Sequence, residues 1–422
     1  MPSAPRAKFQ RDALWNYASV AVLTVCGFGL YVLISRVYDE ATLGVFQLVY
    51  AVYVFASQLA VGGVDRSVLR AIAEHADDRV QRSRVLVGSL VPTLGIALAA
   101  SATYYFARDA IAAWFDSPGV ARGMAVSAPG LFFFALNKVG LAAVNGLQRM
   151  RAFAVYQALR YVLIFAGCLA AVLADLPGEE LAIVFTISEG VLFVLLAVEV
   201  SRQLAWPFDA GWKSWCAEHV RYGAKSVLSG VLLELNTRVD VLMIGVYLSD
   251  TAVGIYAWAV QIADGVFQLL VVLQNVYNPI LARHIAAGER AQLAVVVRRG
   301  KLWTYAGMVV AGAAAVALYP IALDILTGKP EFAASYPSFA WLMLGVVVAS
   351  GYIPFAQTLL MAGFPGSHTL YMTLTVGTNV IGNALLIPRF GIAGAAIATA
   401  ISFALSVVYL RVLVKARVGV AL

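Results

Sequence analysis

Residues 223–248 read GAKSVLSGVLLELNTRVDVLMIGVYL, an apolar stretch long enough to cross a membrane as a helix. Glu234, Arg238 and Asp240 lie near its middle, where each charged residue costs about 2.5–3.5 kcal/mol unless it pairs or faces water. Glu234 and Arg238 are one helical turn apart in the order that favours an ion pair, whereas Asn236 and Asp240 lie on roughly the opposite side. The stretch allows two interpretations: a neutralised pair that eases insertion, or an Arg238 guanidinium that binds a phosphate or carboxylate.

The rest of the 422-residue chain is similarly apolar. Hydrophobic residues make up 61% and charged residues only 13%, with a mean hydropathy of +0.82, whereas soluble domains have about 25% charged residues. This composition excludes a soluble enzyme and a disordered chain, and three cysteines are too few for a disulfide framework. Continuous apolar runs between charged breaks predict about twelve membrane-spanning helices, at residues 14–35, 41–63, 85–107, 123–145, 153–174, 181–200, 223–248, 254–280, 302–322, 338–362, 369–387 and 392–414.

The distribution of positive charge and an internal repeat predict how these helices are organised. Most of the 30 Lys and Arg residues lie in the two tails and the even-numbered breaks, which predicts that both termini are cytoplasmic. The net charge of +7 then reflects topology rather than nucleic-acid binding. Residues 32–46 resemble residues 241–256, half a chain length further on. We predict an all-α polytopic membrane protein with two parallel six-helix repeats around a central cavity, divided into lobes 1–210 and 211–422.

Four further ionisable residues lie well inside predicted spans: Lys138, Arg160, Glu189 and Asp264. Lys138 and Arg160 are at similar depth on neighbouring helices, so they either receive an anionic head group together or extend to the cytoplasmic interface. Glu189 and Asp264 either carry a proton or Na⁺, or serve as structural partners of an arginine. Glu234 is the third candidate for ion coupling.

Enzymatic and cofactor chemistry has little support in the sequence. There is no Gly-x-x-x-x-Gly-Lys-Ser/Thr loop, which argues against nucleotide hydrolysis. All four histidines fall in predicted cytoplasmic breaks, which argues against an intramembrane metal site. Amides such as Asn379 and Asn383 either hold helices together or line a cavity that recognises sugar hydroxyls. We therefore predict a transporter rather than an enzyme, with no cofactor apart from a coupled H⁺ or Na⁺.

Three segments resemble one family of carriers. They are Leu43-Gly44-Val45-Phe46, Gly62-Gly63-Val64-Asp65 and, most specifically, residues 235–256, which begin Leu-Asn-Thr-Arg-Val-Asp and end Val-Gly-Ile-Tyr. They resemble the polysaccharide transporters, or Wzx-type oligosaccharide flippases, of the multidrug/oligosaccharidyl-lipid/polysaccharide exporter superfamily. Arg238, Asn236 and Asp240 stand in the matching motif and are predicted to bind substrate. Lys138 and Arg160, also predicted to bind substrate, are selected by depth alone, as are the other intramembrane charges.

The resemblance implies a twelve-helix carrier in the bacterial cytoplasmic membrane that moves undecaprenyl-pyrophosphate-linked oligosaccharide to the outer leaflet. It also implies a cationic cavity and coupling to an ion gradient. The substrate and membrane lipid would be its partners, together with the polymerase and glycosyltransferases of polysaccharide assembly, such as that of O-antigen. A multidrug or organic-cation antiporter of the same superfamily is the alternative. A major-facilitator carrier is a third, weaker interpretation, based on Asp65-Arg66 after the second span.

Overall fold

The computed structural model describes residues 3–204 and 210–420, and every regular element in these two ranges is helical. The α-helices are α1 (Ser3–Val37), α2 (Glu40–Val61), α3 (Val64–Glu74), α4 (Arg79–Phe106), α5 (Arg108–Trp114), α6 (Pro118–Gly146), α7 (Met150–Leu173), α8 (Ile183–Ser201), α9 (Trp212–Tyr247), α10 (Asp250–Ala286), α11 (Arg290–Thr327), α12 (Tyr336–Ala349), α13 (Thr358–Met361), α14 (Pro365–Phe390) and α15 (Ile392–Val418). The predicted all-α class is confirmed.

Eleven segments in the described ranges are long and apolar enough to cross a membrane. A helix satisfies its backbone hydrogen bonds internally, so it can cross a bilayer core that offers none. The protein is therefore a multi-pass membrane protein. The predicted seventh span, 223–248, is helical as part of α9 but is not among the eleven, because three charged residues fall within one membrane-crossing length. The predicted count of twelve and the two repeats stay predictions.

The chain divides into two compact units, Met1–Leu235 and Asn236–Leu422. In the first unit α6 packs against α2, α3, α4 and α8, while α1 packs against α7. Small residues allow the close approach of α6, since a Cβ on Gly130 would lie 2.8 Å from the backbone nitrogen of Thr186 on α8. The predicted lobes 1–210 and 211–422 stay a prediction.

A tight turn between α2 and α3 shapes the first unit. Gly62 and Gly63 both have left-handed backbone conformations (φ +58° and +70°), which glycine adopts without steric cost. The first half of α9 lies directly on this turn, because a Cβ on Gly223 would be only 2.2 Å from the carbonyl oxygen of Gly62. The turn places Asp65 and Arg66 in the first turn of α3.

His219 fixes the first half of α9 to α3 and α4. Its ring is completely buried, with Nδ1 2.8 Å from the hydroxyl of Ser67 and Nε2 3.1 Å from the carbonyl oxygen of Val85. A carbonyl only accepts, so Nε2 donates its proton to Val85 and Nδ1 accepts from Ser67. Burial lowers the pKa of His219. The folded protein therefore favours the neutral form of His219.

We expect the thermal stability of the purified protein to fall as the pH drops below about 6.5, where an unfolded histidine takes up its proton. The folded state holds that proton less readily, so the unfolded state binds more protons and up to about 1.4 kcal/mol is lost per pH unit. Melting temperatures at about pH 7.5 and pH 5.5 measure the effect. His219→Gln should flatten the profile and His75→Gln should not; equal pH slopes in all three proteins would contradict this role.

In the second unit a broken helix replaces the predicted tenth span, 338–362. α12 ends at Ala349, and a short 3-10 turn, Ile353–Phe355, separates it from α13. Gly351 and Pro354 interrupt the apolar run, since proline cannot donate a backbone hydrogen bond. Gln274 on α10 donates from Nε2 to the carbonyl oxygen of Ile353 at 2.9 Å, which satisfies one group that the break exposes. The membrane-crossing candidate here is Pro330–Ala349.

Candidate functional site

A cavity of about 240 Å³ lies in the first unit among α3, α6 and α7. Arg66, Lys138 and Arg160 line it, together with Asp65 and the amides Asn145 and Gln157. Lys138 and Arg160, which the sequence places at similar depth on neighbouring helices, thus meet at one cavity. Phe134, Leu69, Leu141, Ala142 and Phe153 complete the lining, so the cations face a small space with partly apolar walls.

Lys138 starts a chain of polar contacts from α6. Its Nζ donates to Oε1 of Gln58 on α2 at 2.9 Å and lies 3.8 Å from Oδ2 of Asp65. Gln58 in turn donates from Nε2 to Oε1 of Glu234 at 3.1 Å. Glu234, one of the sequence-predicted ion-coupling residues, is therefore connected to the cavity through an amide.

Arg160 forms a buried ion pair with Glu189. Its Nε lies 2.7 Å from Oε1, and its Nη2 donates to Oε2 at 3.2 Å. Asn137 donates from Nδ2 to Oε2 of Glu189 at 2.7 Å and to its backbone carbonyl at 2.9 Å. The guanidinium also lies 4.6 Å from the ring centre of Phe134. Arg160 is 9% exposed and Glu189 2%, so in this structure Glu189 occupies the structural-partner position that the sequence left open.

A second polar cluster is centred on Asp240 in the second unit. Thr399 on α15 donates to Oδ2 at 2.6 Å, Asn383 on α14 to Oδ1 at 2.7 Å, and Tyr256 on α10 to Oδ2 at 3.1 Å. Asn383 also donates to Oδ1 of Asn379, and the Oδ1 of Asn383 is buried without a hydrogen-bond partner among the described residues. The cluster is rich in oxygen atoms of the kind that hold a small hard cation.

Arg238 and Asp264 are two further predicted residues of the second unit. Asp264 on α10 interacts electrostatically with Arg238 and Asp240. It is exposed and shares one face of α10 with exposed Gln268 and Asn275, which gives that helix a polar stripe. The side chain of Asn236 lies outside the described residues.

The sequence motif contains Asp240 and Tyr256, but nothing singles out Thr399. A threonine in an apolar helix most often bonds to its own backbone. An ordinary helical threonine and a ligand of Asp240 therefore look the same in sequence.

A family model described as "Polysaccharide biosynthesis protein" matches residues 33–301. That range covers more than half of the chain, all the residues that line the first-unit cavity, and part of the Asp240 cluster. The chain belongs to the polysaccharide biosynthesis protein family. The resemblance inferred from residues 235–256 and from the two shorter motifs is thereby confirmed.

One curated relative of this polysaccharide biosynthesis protein is the probable low-salt glycan biosynthesis flippase Agl15 of Haloferax volcanii. The two chains are 27% identical over 190 residues, which is 44% of this chain and 39% of the relative. The match thus spans about two-fifths of the relative's length.

Solved structures show the same fold at low sequence identity. The lipid II flippase MurJ in an inward closed conformation gives a TM-score of 0.78 at 15% identity, covering 96% of this chain and 87% of MurJ. An inward-facing multidrug resistance MATE family transporter of the MOP superfamily gives 0.77 at 14% identity and covers 94% of each chain. At these identities the likeness establishes the carrier fold and leaves the substrate open.

Proposed function

We propose that this protein is a flippase that moves an undecaprenyl-pyrophosphate-linked oligosaccharide across the cytoplasmic membrane by alternating access. The observation that carries the proposal is the cavity where Arg66, Lys138 and Arg160 meet inside an apolar helix bundle. Burying a diphosphate in hydrocarbon without partners is prohibitively costly. Guanidinium and ammonium groups at a polar cavity replace the water that the diphosphate loses, and arginine can bind two phosphate oxygens at once.

The predicted cations then have roles within their own units. Lys138 and Arg160 receive the pyrophosphate, while Asn145 and Gln157 on the same cavity wall can donate to sugar hydroxyls. In the second unit, Arg238 and the polar stripe of α10 contact the head group during transport.

Ion coupling is assigned to the Asp240 cluster. Asp240 receives three hydrogen bonds from donors on three helices, so a proton or Na⁺ that enters there alters the contacts among α10, α14 and α15. Asp264 lies close enough to interact electrostatically with Asp240. The coupling ion is thus H⁺ or Na⁺, held by oxygen atoms. The protein would act without nucleotide hydrolysis or other catalysis.

The proposed location is the bacterial cytoplasmic membrane, as the family resemblance implies, and the distribution of positive charge supports an orientation with both termini inside. A lipid-linked substrate reaches such a carrier through membrane lipid. Glycosyltransferases that build the oligosaccharide and a polymerase that consumes it are its proposed functional partners.

The second candidate function is export of organic cations. Exposed Asp264 favours it, because a carboxylate on the polar stripe of α10 could attract a cation. The fold likeness to a multidrug resistance transporter is compatible with this function as well. The two candidate functions differ in the charge of the transported molecule: a flippase moves an anionic glycolipid, and an exporter moves an organic cation.

Reconstituted protein separates these candidates. Proteoliposomes containing a fluorescent lipid-linked oligosaccharide report flipping, and a fluorescent organic cation reports antiport. We expect wild-type protein to flip the glycolipid, and Arg238→Ala to lower the rate at least about tenfold, as loss of a charge-assisted contact implies. Arg389→Ala, which removes an exposed arginine of α14, serves as the control and should flip normally. Unimpaired glycolipid flipping by Arg238→Ala would contradict the role of Arg238, and cation transport without flipping would favour the second candidate.

A further inference from the structure

The cations of the first-unit cavity already have carboxylate partners. Arg160 pairs with Glu189 at 2.7 Å and Lys138 lies 3.8 Å from Asp65. Lys138 also interacts electrostatically with Glu234. Arg66, Lys138 and Arg160 are thus balanced by three carboxylates, so a diphosphate that simply entered would bring uncompensated negative charge into a nearly neutral site.

Arg160 is the cation whose partner a phosphate can replace. Its guanidinium lines the cavity, whereas Glu189 is 2% exposed and does not line it. The Nε of Arg160 is 2.7 Å from Glu189, yet it is buried and makes no aligned hydrogen bond among the described residues. An entering phosphate therefore competes with Glu189 for a guanidinium whose donors are incompletely used.

When a phosphate displaces Glu189 from Arg160, the carboxylate is left in surroundings that do not stabilise a negative charge. Besides its ion pair with Arg160 on α7, Glu189 interacts electrostatically with Tyr53 on α2, which itself interacts with Tyr50 and Tyr104. From α6 it faces the neutral amide of Asn137, while the neighbouring Lys138 contacts Gln58 and Asp65. Without Arg160, no described cation remains against the carboxylate, and a buried carboxylate without a counter-ion takes up a proton.

Tyr53 offers a polar group to Glu189 once that side chain is protonated. The hydroxyl of Tyr53 is buried without a hydrogen-bond partner among the described residues. Tyr53 stacks on Phe185 and contacts Phe134, the ring beneath Arg160. Tyr53 is therefore packed among aromatic rings next to the ion pair of Arg160 and Glu189.

Resting on the proposed function, we infer that the anionic head group and one proton bind this cavity together. The phosphate takes over the guanidinium of Arg160, and Glu189 is protonated as it leaves. The proton comes from bulk water, the Glu189 carboxylate becomes a neutral carboxylic acid, and no covalent bond of the substrate changes. Glu189 is a positioning residue here: it holds Arg160 ready in the empty cavity and releases it to the substrate.

Binding calorimetry on the purified full-length protein tests this inference. The probe is a water-soluble pyrophosphate diester with a short prenyl chain and one sugar, which has no group that titrates near neutral pH. Titrations in two buffers of different ionisation enthalpy give the number of protons taken up. We expect about one proton per bound probe, and an affinity that falls up to about tenfold per pH unit above neutrality.

Glu189→Gln should bind the probe more tightly than the wild type at about pH 8, with no proton uptake and no pH dependence. Glu199→Gln is the matched control, because Glu199 pairs in the same unit with an arginine, Arg149, that does not line the cavity, whereas Arg160 does. Probe binding by wild-type protein without proton uptake would overturn the inference and leave the flippase proposal standing. No binding by any variant would overturn the flippase proposal, and the inference with it. The wild-type measurement decides the question even if Glu189→Gln does not fold.

Discussion

Arg160→Gln should lower the flipping rate of a lipid-linked oligosaccharide in proteoliposomes about 100-fold. Arg160 lines the cavity and its guanidinium can make two parallel hydrogen bonds to phosphate, and each hydrogen bond to a charged group contributes about 1.5–3 kcal/mol. The loss should persist at saturating substrate if Arg160 also holds the head group during the conformational change. Arg160→Lys should recover part of the rate, because it keeps the charge but not the planar fork.

The same substitution disturbs folding, so the two effects need separating. Removing one partner of a buried ion pair costs about 3–5 kcal/mol, because the other charge stays buried. Arg160→Gln combined with Glu189→Gln removes both charges and should restore much of the melting temperature while transport stays low. Normal transport by the double variant would refute a binding role for Arg160 and leave it a purely structural residue.

The sequence was sufficient for the membrane class and for locating the charged residues inside the apolar runs, because both depend on local rules. A charged residue in a continuous apolar run is visible without any structure, and Arg160, Lys138 and Asp240 are all of this kind. Their positions along the apolar runs also give their approximate depth in the membrane. Depth on neighbouring helices left open whether Lys138 and Arg160 act together, and the structure places both at one cavity.

The sequence could not predict which side chains pair between helices, because these contacts depend on the packing of segments far apart in the chain. Glu189 could pair with Arg160 or with Arg238, and only the structure selects Arg160, 29 residues away. Gln58 contacts Lys138 across 80 residues and Thr399 contacts Asp240 across 159. Neither contact has a local signal, since glutamine and threonine are common in membrane helices. The broken segment after Ala349 was missed because its residues are nearly as apolar as the helix.

Asp240→Asn should abolish the dependence of transport on an ion gradient and lower the flipping rate at least about tenfold. Asparagine has almost the same shape but no charge, so it cannot attract Na⁺ or accept a proton at the carboxylate. Its amide also places donor hydrogens near the donors of Thr399, Asn383 and Tyr256, which now bond to Asp240. The measurement is flipping with a Na⁺ gradient, a H⁺ gradient or neither, in wild-type protein and in the variant.

A measurement independent of transport identifies the ion. A ligand that binds only the folded state at about 100 times its dissociation constant adds about 2.7 kcal/mol of stability. If Na⁺ binds at Asp240, Na⁺ should raise the melting temperature of wild-type protein relative to an equal concentration of choline, and Asp240→Asn should lose that increase. Asp324→Asn is the control, since Asp324 is an exposed carboxylate in the same unit that makes no contact with Asp240. If H⁺ is the ion, Na⁺ has no effect and the wild-type rate follows the pH gradient. A gradient response in Asp240→Asn equal to that of the wild type would place the coupling ion elsewhere.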